Sequence, residues 1–97
     1  MKIYLTCFPA DRTWGAGSVI GYALAEDGHG LGSHLSSSVD FARHDMGLTS
    51  DWKHETYQKH CPDGFELEWI EDADHDPRWQ AAMKLNKALY DKKEDAK

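Results

Sequence analysis

The acidic and histidine residues of this chain are the ones whose types and spacing suit chemistry, and that chemistry would be cation binding. Asp40 and His44 stand four apart, the interval that puts two side chains on one helix face, and Asp45 adjoins them. With His34 brought alongside, His34, Asp40 and His44 would offer the mixed nitrogen and oxygen donors that zinc accepts. Asp72 and Asp74 lie in the densest acidic stretch, residues 71–76. Asp40, Asp45, Asp72 and Asp74 together would suit Mg²⁺ or Mn²⁺. Two such ions stabilise the attacking and leaving oxygens of a phosphodiester at once. The stretch lacks the turn glycine and closing glutamate of a calcium loop, and no HExxH or paired-cysteine spacing occurs. The plainer reading is a solvated linker that caps a helix, with ordinary surface histidines.

Other motifs fall short of chemistry. Gly15, Gly17 and Gly21 imitate a phosphate loop, but that loop must follow a strand and open a helix. Here the glycines lead into a strand, and the lysine is missing. Cys61 adjoins His60, yet neighbouring residues on a helix do not face each other, and no GxSxG elbow occurs. No catalytic set and no cofactor are therefore expected. The residues left for function are contact residues. Arg12 and Trp14 share a glycine-containing loop, and both types are enriched among interface anchors. Trp52 and Tyr57 extend that surface from a short helix, although Trp52 suits a core position equally well.

Ninety-seven residues make one domain, taken as 1–91, with a charged, frayed tail over 92–97. A 40% apolar and 11% aromatic content supports a packed core. Seventeen acids against eleven bases leave a net charge of −6, which speaks against nucleic acid as a partner. The first residues carry an apolar run too short for a signal peptide or a membrane span. Two cysteines without CxxC spacing indicate a reducing, cytoplasmic setting.

The elements that would position these residues read clearly. Residues 19–26 and 31–36 are strand-like and flank Asp27-Gly28-His29-Gly30, a hairpin signal because glycine takes positive φ without steric cost. Residues 2–8 form a first strand, stopped by Pro9. Ser37 or Ser38 caps a helix over 39–46, and Ser50 caps another over 51–60. Residues 65–70 alternate apolar and acidic, so one face is buried and one wet. Asp76-Pro77 opens a helix over 77–90, with Trp79, Ala82, Met83, Leu85, Leu89 and Tyr90 on one broad apolar arc. Asn86 falls inside that arc and reads as a satisfied polar residue at the core margin, with a side chain facing a groove as the alternative.

The class is α+β, in the order β-β-β-α-α-β-α: a three-stranded antiparallel meander, two short helices, a fourth strand parallel to the first, and a C-terminal helix. The helices are expected on one face of one sheet. This element order resembles the front part of a ribonuclease H-like fold, truncated. The resemblance implies a metal-binding aspartate in the middle of strand one, where Ile3-Tyr4-Leu5-Thr6-Cys7-Phe8 has no acid. The chain is read as a small acidic protein-interaction domain without catalysis, binding a protein partner or its own copy. Its build resembles accessory proteins of phage or mobile elements. A metal-dependent phosphodiester enzyme and an acidic mimic that blocks a DNA-binding protein are the alternatives.

Overall fold

Alternate residues of a strand face opposite ways, and the first strand divides the molecule on that rule. In the computed structural model, which describes residues 1–10 and 18–95 with side chains through residue 91, β1 spans Lys2–Pro9. Ile3 and Leu5 enter one core, and Tyr4 enters another. Strands β2 (Val19–Ala25), β3 (Gly30–Ser36) and β4 (Glu66–Trp69) complete a mixed sheet in the order β3-β2-β1-β4. The β1–β2 and β2–β3 pairs are antiparallel, and β4 runs parallel to β1. Helices α1 (Val39–Asp45), α2 (His54–His60) and α3 (Pro77–Asp95) give the expected order β-β-β-α-α-β-α, an α+β fold.

The helices do not share one face. Ala42 and Met46 from α1 and its cap join Tyr57 and Cys61 from α2 and its cap, packing on Ile3, Leu5 and Ala23. Trp79 and Ala82 of α3 pack with Tyr4, Leu24, Ile70 and Ala73 on the opposite side. The expectation of one covered face therefore holds for α1 and α2 and fails for α3. The reason lies in β1 and β2, which carry apolar residues at consecutive positions (Ile3-Tyr4-Leu5, Ala23-Leu24-Ala25). A strand apolar on both sides needs cover on both sides.

The middle of β1 is Thr6, 1% exposed, whose hydroxyl donates to the Ile70 carbonyl at 2.7 Å. That bond fixes the end of β4 against β1. Tyr57 is fully buried, with its hydroxyl donating to the Met46 carbonyl, which ties α2 to the end of α1. Phe65, Leu67 and Trp69 pack against the α1–α2 core while Glu66 stays in water, as the alternation predicts.

Three local expectations change. Helix α2 starts at His54 rather than residue 51, without a side-chain cap. Ser50 instead donates to the His44 carbonyl at 2.9 Å and accepts from the Trp52 amide at 3.3 Å, closing the turn that precedes α2. Helix α3 runs to Asp95, past the expected end near Tyr90. Its apolar arc is buried only at Trp79 and Ala82. Met83, Leu85, Leu89 and Tyr90 remain exposed. Nineteen residues of helix are about 28 Å long, more than the strands beneath can cover.

Candidate functional site

The turn between β2 and β3 is built from Glu26, Asp27, Gly28 and His29. Gly28 has φ +96°, a conformation that side chains with a Cβ rarely adopt. Asp27 Oδ1 accepts the His29 amide at 3.1 Å, and the Ala25 amide donates to the His29 carbonyl at 2.9 Å. One side of this turn meets α3. Asn86 Nδ2 donates to the Gly28 carbonyl at 2.8 Å, and a Cβ on Gly28 would lie 2.7 Å from the Asn86 backbone nitrogen. Asn86 is thus the satisfied, half-buried polar residue that its place in the arc suggested.

The Asp27 and His29 side chains meet α2. His60, in the last turn of that helix, places Nε2 2.9 Å from Asp27 Oδ2. His29 Nδ1 lies 3.1 Å from Asp27 Oδ1, and the two imidazole rings are 4.7 Å apart between centroids. Asp27, His29 and His60 each present one ligand atom within 4.8 Å of the others, the one such trio among the described residues. The His60 side chain is 22% exposed, Asp27 33% and His29 53%, so the cluster opens to solvent on its His29 side. Partial burial pulls the Asp27 carboxyl upward. Hydrogen bonds from the His29 amide and ring and from His60, with the His60 charge, outweigh this and hold it below the ordinary carboxylate value.

The residues singled out in the sequence are scattered by comparison. Asp45 gathers His34 Nε2 at 3.2 Å, Ser36 Oγ at 2.8 Å and His44 Nδ1 at 3.6 Å. His34 therefore reaches Asp45 rather than Asp40, which stays exposed. Asp72 pairs with His75 at 3.0 Å in the loop after β4. Asp74 lies beside Phe8 and Trp79, on the α3 side of the sheet, whereas Asp45 is on the α1 side. Asp40 and Asp45 do not meet Asp72 and Asp74 across the fold.

Known proteins offer no guide. No family model matches the chain, and no curated protein or solved structure matches it.

Of the four expected contact residues, Arg12 and Trp14 lie outside the described residues. Trp52 is 68% exposed, in the turn before α2, and so belongs to the surface rather than the core. Tyr57 is corrected outright, because an aromatic ring fully enclosed between α1, α2 and Phe65 is core and can touch no partner. A larger apolar surface lies on the α3 side. Phe8, Ile20, Tyr22, Trp79 and Met83 line one groove, which continues past Gly30, Ser33, Asn86 and Tyr90. Leu35, 44% exposed, is the register partner of Ile20 and flanks this groove at the sheet edge.

Sequence reasoning missed the Asp27–His29–His60 trio. An Asp-Gly-His turn is a weak hint, since the glycine lets both flanking side chains project from one tight loop. Nothing in the chain announces that His60, 33 residues beyond Asp27, would meet them.

Proposed function

We propose that this protein is a non-catalytic association domain whose working surface is the outer edge of β3 with the apolar groove beside it, and that the occupant is a second copy of the chain. One observation carries the reading. Among the described residues, the strand GLGSHLS lies at the sheet edge with β2 as its one neighbour, and its own sequence holds no proline, lysine or glutamate. Natural edge strands are commonly blunted by such residues, because unpaired amides and carbonyls invite a further strand.

A like copy fits this edge well. Antiparallel pairing of β3 with β3 about a two-fold axis is self-complementary, so one patch serves both molecules. Gly30, Gly32 and Ser33 put little bulk between the two backbones. Leu35, Tyr22 and Met83, exposed at 44%, 38% and 42%, would flank the new strand pair and lose water contact on the same side. Each copy carries a charge of −6, so association strengthens as salt screens the repulsion.

Sedimentation equilibrium tests the reading. A dimer in the tens of micromolar that tightens with added salt is expected, and Leu35→Lys should be monomeric, melting as the parent does when diluted to its own monomer. A monomer across that range would overturn the proposal, as would a dimer indifferent to Leu35→Lys.

A further inference from the structure

We infer that Asp27, His29 and His60 form a binding site for one borderline divalent transition ion, of the class of Zn²⁺, Co²⁺ or Ni²⁺. The donor chemistry selects that class. Two imidazole nitrogens and one carboxylate suit these ions, whereas Mg²⁺ and Ca²⁺ seek shells made mostly of oxygen.

The geometry is close to what such an ion requires. Ligand atoms about 2.0–2.1 Å from a tetrahedral zinc lie about 3.4 Å from one another. Here His60 Nε2 and His29 Nδ1 lie 2.9 and 3.1 Å from the two Asp27 oxygens, and one ligand atom from each residue falls within 4.8 Å of the rest. Small rotations of the imidazoles suffice to close on an ion. The supports are already rigid. The His29 amide orients the Asp27 carboxylate, Asn86 holds Gly28 from behind, and His60 is fixed by the last turn of α2. The half-exposed His29 leaves a route from solvent, and three protein ligands leave room for water in the remaining position. A bound ion would tie the β2–β3 turn to α2, two elements now joined here by the His60–Asp27 contact and the packed His29 and His60 rings. It would do so on the opposite side of the turn from Asn86.

The site does not depend on self-association through β3, and its test reads a different quantity. Untagged protein is titrated with Co²⁺ and Zn²⁺, followed by the visible Co²⁺ spectrum and by thermal melting. One equivalent of Co²⁺ should bind saturably, with Zn²⁺ displacing it. Free Zn²⁺ at a hundredfold excess over its Kd should raise the melting temperature by roughly 10 °C, with no response to Mg²⁺ or Ca²⁺. His29→Ala, at an exposed position, should weaken binding at least tenfold while the apo protein still unfolds cooperatively, losing no more than the single exposed His29–Asp27 contact. His34→Ala and His75→Ala, which remove the imidazoles paired with Asp45 and Asp72, should leave it unchanged. Absence of a saturable Co²⁺ spectrum would overturn the inference. So would binding that survives His29→Ala or is lost equally in His34→Ala.

Discussion

Asn86 donates its side-chain amide to the Gly28 carbonyl at 2.8 Å, and by this bond α3 holds the tip of the β2–β3 hairpin. The two residues are 58 positions apart, and from Met83 to Asp91 every residue of α3 except Asn86 is exposed. The contact is close because Gly28 has no side chain. A Cβ there would stand 2.7 Å from both the Asn86 nitrogen and the Leu85 Cβ.

Gly28→Ala should therefore destabilise the protein by about 2–3 kcal/mol, combining the left-handed backbone penalty with displacement of α3. Asn86→Ala, which removes one hydrogen bond and leaves the backbone in place, should cost about 1 kcal/mol. Urea unfolding of the two variants checks both the sizes and their order.

Tyr57 should govern stability in alkali. Burial pushes its phenol up to about 12, from an ordinary value of 10.0. The neutral form is the one the fold accepts, so the stabilisation is complete below pH 10 and lost as pH rises toward 12. Tyrosinate absorbance should show one phenol ionising together with unfolding. In Tyr57→Phe that coupled step should vanish, while stability at neutral pH falls by about 1 kcal/mol, because the Met46 carbonyl loses its donor.

Asp27 works at the acid end. Its carboxyl is held below the ordinary value, so its stabilising contribution is present above pH ~4 and disappears as pH falls through the lowered folded value. Asp27→Asn should be less stable than the parent at neutral pH. The two unfolding curves should converge as the buffer is acidified below that value.

Arg78 offers a contrast. Its guanidinium bonds Glu68 and reaches Asp76 at 2.7 Å, yet its side chain is 43% exposed. Water screens such pairs, so Arg78→Gln should cost no more than about 1 kcal/mol, with the difference shrinking in high salt. Chemical denaturation at two ionic strengths measures it.

The fold was largely legible from local pattern. The Asp-Gly turn between apolar runs marks the hairpin, the alternation from Phe65 to Trp69 marks the buried side of β4, and Asp76-Pro77 marks the start of α3. These signals act over a few residues, where backbone sterics and side-chain periodicity decide the outcome. The candidate contact residues were less legible. Tyr57 and Trp52 are aromatic residues five apart in one short segment, and one is fully buried while the other is 68% exposed. The difference depends on which residue faces the end of α1, and that is set by the crossing of elements distant in sequence.

Taken alone, the order of residues determined an α+β domain, its element order and the turn at Gly28. Each of these follows from φ preference, spacing or capping within one segment. Tertiary structure alone decided that α3 covers the face opposite α1 and α2, and that its apolar arc outruns the sheet. It also decided that Asp45 rather than Asp40 meets His34, and that His60 meets Asp27 and His29. Those outcomes rest on how helices and strands far apart in the chain pack against one another, and side chains brought together by packing carry no mark of it in their spacing.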